Sequence, residues 1–322
     1  MPRRLVLASA AALALARGGT SAAAQPAPAN GGAPGAAARP VDYAALRAAV
    51  EARVAVLRSR APGAVVAVAV RDLASGGGAL DVAPDSVFHA ASTMKLPVMI
   101  AAVRDAERGG LALDQPVLLV NRFASAAAGA PPYALDPADD SDSALYALAG
   151  ARVPARELVR RMIVRSSNLA TNALVALVGA DAATGAARAL GAPGVRVVRG
   201  VEDNAAFRSG IVNTATAPGL AALLAAVEAG RAASAEGCRF MREVLLAQEF
   251  SAEIPAGVPP GTPVAHKTGW IRGVLHDAAI VYPRGGAPYV LVVLTRGVED
   301  EGVARGAIVD VSRVVYSALG GG

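Results

Sequence analysis

Strand-like sequence lies near the two ends of this chain and is missing from its middle, which narrows the folds open to it. Ala64–Leu73 (AVVAVAVRDL) is β-branched, reads as a buried strand, and runs into a turn at Ser75–Gly78. Far downstream, TPVAHKTGW, HDAAIVYP and PYVLVVLTRG are three more strand-like runs separated by turn residues. Between these ends, from Ser92 to about Glu228, Ala- and Leu-rich segments repeat at helical spacing. Helical patterns also bracket the strands: Tyr43–Arg60 stops at Pro62-Gly63, and VARGAIVDVSRVVYSAL is an amphipathic helix near the last residue. This order predicts an α+β fold, an α/β/α sandwich in which an antiparallel sheet drawn from both chain ends is flanked by helices, with the middle forming an all-helical lobe. A cleft between lobes is the expected place for a site. No internal repeat is visible.

The first residues, MPRRLVLASAAALALARGG, are a basic start and an apolar run too short to span a bilayer, and small residues follow at Ala22–Ala24. Residues 1–24 therefore read as a signal peptide, which predicts an exported, periplasmic protein with no stable membrane span after processing. Residues 25–40, rich in Ala, Pro and Gly without an aromatic residue, read as a flexible linker. Residues 41–322 are left as one compact domain, expected to be a monomer. The formal charge of +5 includes Arg3, Arg4 and Arg17, so the remainder carries +5 − 3 = +2, which is no nucleic-acid footprint. Cys238 is the single cysteine and reads as a buried apolar residue.

Of the 31 Lys and Arg residues only Lys95 and Lys267 are lysine. Arginine keeps its proton in a protein, whereas lysine can be tuned to act as a base, so both lysines are candidates for proton chemistry or substrate binding. Lys95 follows Ser92 by three in HAASTMKLP, and Pro97 suits the first turn of a helix. That puts the Ser92 hydroxyl at a helix N-terminus with the amine one turn on. A second element, Ser166-Ser167-Asn168, sits at the junction of two helical patterns, where Ser166 also suits an N-cap. A third, Lys267-Thr268-Gly269-Trp270, lies on a strand. Glycine is disfavoured there unless something approaches the backbone closely, such as a substrate lying along the edge.

S-x-x-K, S-x-N and K-T-G in this order resemble the class A β-lactamases and penicillin-binding serine enzymes, and the likeness covers about Val41 to Ala318. The resemblance implies a serine hydrolase that opens β-lactam rings through an acyl-enzyme on Ser92, with Lys95 as proton acceptor and Ser166 as relay to the leaving nitrogen. It further implies Asn168 as partner of the substrate amide, Lys267 and Thr268 at the substrate carboxylate, and the backbone N–H groups of Ser92 and Trp270 as the oxyanion hole. Glu202 in RGVEDNAAF, followed by TATAP at Thr214–Pro218, stands where this family has the Glu that activates the deacylating water. No cofactor and no metal are implied.

The chain departs from the family pattern in three places. Ser167 replaces an Asp, position 206 is Ala where an Asn helps hold the water, with Asn204 a possible substitute, and the stretch Asn121–Gly150 is long enough to shape the cleft entrance. Two other activities share the first half-reaction: a D,D-peptidase or amidase on cell-wall peptides, and a slow-turnover penicillin-binding sensor. His89, His266 and His276 flank the motifs and with Asp277 suggest a Ser-His-Asp alternative, which the absence of a G-x-S-x-G elbow disfavours.

Overall fold

The computed structural model describes residues 41–320; the expected signal peptide and linker lie outside them. Helix α1 (Tyr43–Arg60) is followed by strands β1 (Val65–Asp72) and β2 (Ala79–Val82) and a two-residue strand β3 (Phe88–His89). A short 3-10 turn, Ala91–Met94, then leads into α2 (Lys95–Glu107). Strands β4 (Pro116–Leu118) and β5 (Arg152–Pro154) enclose a mostly irregular stretch, and α3 (Ala155–Val164), α4 (Asn168–Val178), α5 (Ala180–Ala189) and α6 (Asn204–Arg208) follow. The chain continues through β6 (Thr214–Ala215), α7 (Ala217–Glu228), α8 (Ala235–Leu246), β7 (Val264–Ile271), β8 (Val274–Val281), β9 (Tyr289–Arg296) and α9 (Glu301–Leu319).

Five strands form one sheet in the order β2-β1-β9-β8-β7. Every pairing is antiparallel, and β1 from the start of the domain runs beside β9 from its end, with Val68 opposite Val293. The expected sheet from both chain ends is the one observed. Its two faces follow the strand alternation. Val66, Val68 and Val70 pack against Leu46, Val50, Val54 and Leu57 of α1 and Ile308, Val311 and Val315 of α9. Ala67 and Ala69 face the other way, where small side chains admit the Ala- and Leu-rich α7 and the helical lobe behind it. Cys238 is fully buried in that second core.

The lobe is not helical throughout. Two ribbons, β3 with β6 and β4 with β5, tie it together, and their two- and three-residue strands are too short for periodicity to reveal. No single described helix is long and apolar enough to cross a membrane.

Candidate active site

Ser92 sits in the 3-10 turn that opens α2, between the sheet and the helical lobe. The preceding Ala91 has φ 45°, a left-handed conformation, and Ser166 and Glu202 are also left-handed at φ 56° and 58°. Three of the four non-glycine residues with positive φ among the described residues thus lie at or beside one site. Each costs about 1–3 kcal/mol, a strain that persists only where the surroundings hold it.

Around the buried amine of Lys95 stand four oxygens: Ser92 Oγ at 3.0 Å, Ser166 O at 2.6 Å, Ser166 Oγ at 3.1 Å and Asn168 Oδ1 at 2.9 Å. The carbonyl of Ser166 and the amide oxygen of Asn168 can only accept, so they take two hydrogens. A neutral amine then has no hydrogen left and one lone pair free, which the Ser92 hydroxyl can meet by donating. The electrostatics make that state accessible at neutral pH, because burial lowers the Lys95 pKa to about 7, against the opposing pull of Asp140 and Glu202. An amine beside a serine hydroxyl at a helix start is therefore a competent base at neutral pH.

The amide of Asn168 is spoken for at both ends. Its oxygen accepts from Lys95 and its nitrogen donates to Glu202 Oε1. Burial raises the Glu202 pKa, with Asp140 and Asp139 adding to the rise and the Asn168 hydrogen bond opposing it. A carboxylate so placed is more basic than one in water. The loop carrying it is held from several sides. Asn172 bonds both backbone groups of Val201, Tyr133 Oη donates to Val201 O, and Asp203 accepts from Ser125 Oγ, Ala126 N and Ala206 N. At its neck, Asn213 Oδ1 accepts from Val198 N and Arg199 N.

Lys267 is also fully buried, and its amine donates to Thr268 O at 3.1 Å. Burial, and then the charge of Lys95, pushes its pKa well down. Thr268 and Gly269 follow on β7, the edge strand of the sheet, whose outer backbone groups have no strand partner among the described residues. The close approach expected at Gly269 comes from within the protein. A Cβ there would sit 3.2 Å from Ser92 N and from Thr93 N, so the close approach that favours glycine comes from the protein's own Ser92 turn. Its absence also leaves the Ser92 N–H uncovered.

A correction concerns Ser166. The N-cap of α4 is Ser167, whose hydroxyl accepts from Ala170 N, and the left-handed backbone of Ser166 instead turns its carbonyl and hydroxyl onto Lys95. A carboxylate reaches the start of α4 from another segment. Asp140, buried in the long stretch between β4 and β5, accepts from Asn168 N and Leu169 N, both at 2.9 Å, at the positive end of α4. Asp140 also accepts from Asp142 N and Tyr146 Oη nearby, but nothing in local sequence marks it among the four acids of ALDPADDSD for its two contacts at α4, which lie 28 and 29 residues away.

The histidines form a scaffold. Thr295 N donates to His276 Nδ1, His276 Nε2 donates to His89 O, and Ala91 N donates to His89 Nδ1, so the pair props the strained turn before Ser92. Burial lowers both pKa values to about 4, which keeps both rings neutral at neutral pH. His266 pairs with Asp277 at 3.0 Å, and by strand alternation it points away from the face that carries Lys267. Neither makes a hydrogen bond to Ser92, which removes the geometric basis for a Ser-His-Asp relay.

Two cavities meet at Ser92. One, of about 400 Å³, is lined by Ser166, Thr268, Gly269, Phe250 and Ala138–Ser141, so the long stretch does wall the cleft entrance. The other, of about 360 Å³, is lined by Glu202, Arg199, His89, Phe207, Asn204 and Ile271. Asn168 and Trp270 border both.

The chain is similar to known proteins over most of its length. The β-lactamase enzyme family matches residues 47–319. A β-lactamase of Streptomyces albus G is 30% identical over 266 residues, covering 81% of this chain and 82% of that protein. Among solved structures, a β-lactamase from Sphaerobacter thermophilus superposes with a TM-score of 0.71 at 28% identity, over 84% of this chain and 97% of that one. PBP-A superposes with a TM-score of 0.69 at 25% identity, over 84% and 95% of the two chains. With a match over most of its length and that degree of identity, the chain belongs to the β-lactamase enzyme family.

Proposed function

We propose that this protein is a class A-type serine β-lactamase that hydrolyses the cyclic amide through an ester on Ser92. The observation that carries the reading is the buried Lys95 amine, 3.0 Å from Ser92 Oγ and with a pKa brought to about 7. Ser92 Oγ attacks the carbonyl carbon while its proton passes to Lys95 Nζ. The oxyanion is held by the backbone N–H groups of Ser92 and Trp270. The ring C–N bond breaks as Ser166 Oγ gives its proton to the nitrogen and is resupplied from Lys95. Lys267 and Thr268 hold the substrate carboxylate and Asn168 the acyl amide. In the second half, Glu202 takes a proton from water, the hydroxide attacks the ester, and Ser92 leaves with a proton. We also propose export to the periplasm, on the strength of residues 1–24.

A second reading draws on Ala206. This residue is fully buried, and its small side chain has no group to hold a water, while among the described residues the Asn204 side chain makes no hydrogen bond to Glu202. A slower deacylation, as in a sensor or a peptidase, would follow. Purified protein mixed with a chromogenic cephalosporin is expected to turn over steadily. A single-turnover burst would favour the sensor, and no reaction alongside D,D-peptide cleavage would favour the peptidase.

Proton transfer to Lys95 has its own test. Lys95→Arg keeps the charge and loses the capacity to accept a proton, so acylation is expected to fall about 10²–10⁴-fold, with Lys267→Arg milder. In the wild type, the acylation rate measured by stopped flow should fall as pH drops below about 7, because protonated Lys95 has no lone pair for the serine proton. A Lys95→Arg protein that folds and acylates at the wild-type rate would reduce Lys95 to an electrostatic role.

A further inference from the structure

We propose that the cavity on the acyl side of Ser92 is a subsite for a substrate side chain carrying its own carboxylate beside an aromatic ring, with Arg199 as the cation that recognises it. The proposal rests on the β-lactam reading above. Under that reading the leaving nitrogen departs toward Ser166 and Thr268, which line one cavity, so the acyl side chain turns into the other, past Asn168 and toward Arg199.

Arg199 is only 7% exposed yet lines this cavity. Its Nε donates to Ile211 O at 2.8 Å and its Nη1 to Gly200 O at 2.9 Å, which ties down the loop. Nη2 has no such acceptor among the described residues. Its one near neighbour is His89 Nε2 at 3.4 Å, and since His89 Nδ1 accepts from Ala91 N, the neutral ring carries its hydrogen on Nε2 and cannot accept there. Nor does any carboxylate among the described residues form an ion pair with Arg199. Asp203 is nearby, but its oxygens are engaged by Ser125, Ala126 and Ala206. A buried cation with spare donors on a cavity wall is costly when empty and well matched to a carboxylate.

The apolar part of the ligand follows from the same wall. The guanidinium stands 5.7 Å from the ring centroid of Phe207, which is exposed and lines the cavity with Ile271, Val201 and Trp270. Phe207, Trp270 and Phe250 are the exposed large aromatic side chains among the described residues; Phe207 borders the acyl-side cavity, Phe250 the other, and Trp270 both. Two acids share the acyl-side lining. Glu202 is turned to Asn168 and Lys95, and Asp139 stands at the exposed rim, which leaves the Arg199 and Phe207 end for the incoming carboxylate.

The test compares benzylpenicillin with its α-carboxy analogue, which differs by one carboxylate beside the phenyl ring. On the intact protein the analogue is expected to have the higher kcat/KM, by about tenfold. Arg199→Gln should erase that ratio and Arg199→Lys should keep most of it. Loosening of the loop would lower both substrates together and leave the ratio unchanged, so the ratio isolates recognition from structure. A wild-type ratio at or below one, or a ratio that survives Arg199→Gln, overturns the proposal. If neither penicillin acylates Ser92, the functional reading has failed instead. The subsite is then tested by titrating phenylmalonate against phenylacetate, read by fluorescence of Trp270, the single tryptophan. Tighter binding of the dianion that is lost in Arg199→Gln supports it, and equal affinities overturn it.

Discussion

Ser92→Ala is expected to lower β-lactam hydrolysis by on the order of 10⁶-fold, the loss seen when a serine nucleophile is removed from a hydrolase. Covalent labelling by a penicillin should vanish with it. The surrounding geometry makes this variant a clean one. The hydroxyl is a neighbour of Lys95, but Lys95 keeps Ser166 O, Ser166 Oγ and Asn168 Oδ1 as partners without it, and the strained Ala91 turn is held by His89 rather than by Ser92. The variant should therefore fold as the wild type does, with an unchanged Tm. Intact-mass spectrometry after incubation with benzylpenicillin decides the matter: a penicilloyl adduct on the variant would remove Ser92 from the chemistry.

The parts of this molecule that are local in sequence were readable there. Helix α1 was visible from the spacing of Leu46, Val50, Val54 and Leu57, and the four long strands from their β-branched runs. The three motifs could be found because each packs its reacting groups within four residues. What stayed hidden depends on tertiary contact. Asp140 reaches the start of α4 from the long stretch between β4 and β5, where it accepts from Asn168 N and Leu169 N. Gly269 looked like a substrate-facing glycine, and only the packing of β7 on the Ser92 turn gives the steric reason. The cap of α4 falls on Ser167, one residue beyond Ser166, because both serines suit a cap by composition and only the backbone conformation separates them. Arg199 could not have been singled out at all among 29 arginines. Its interest comes from burial and from an Nη2 that faces a histidine in the wrong tautomer to accept.

Lys95 and Glu202 are linked through one amide, and this link shapes what a change at position 202 should do. Asn168 offers its oxygen to the amine and its nitrogen to the carboxylate, so the two groups sit at opposite ends of a single hydrogen-bonded bridge. In Glu202→Gln a neutral amide faces the Asn168 nitrogen through its own oxygen, which preserves the bridge and the placement of Lys95. Acylation should then proceed within a few-fold of the wild-type rate. Deacylation should slow by about 10²–10⁴-fold, because an amide is a poor general base at neutral pH. An ester on Ser92 should accumulate and be visible by mass detection during a burst experiment. The pH dependence separates the two halves further. Burial raises the Glu202 pKa above the ordinary carboxylate value, so wild-type deacylation should fall as acid protonates the base, a loss that the Gln variant cannot show. Asp203 is a useful contrast, since it fixes the same loop through Ser125 and Ala126 without touching the bridge. Equal deacylation rates in wild type and a folded Glu202→Gln protein would exclude Glu202 as the base and, with Ala206 unable to hold a water, shift the assignment to a slow-turnover binder.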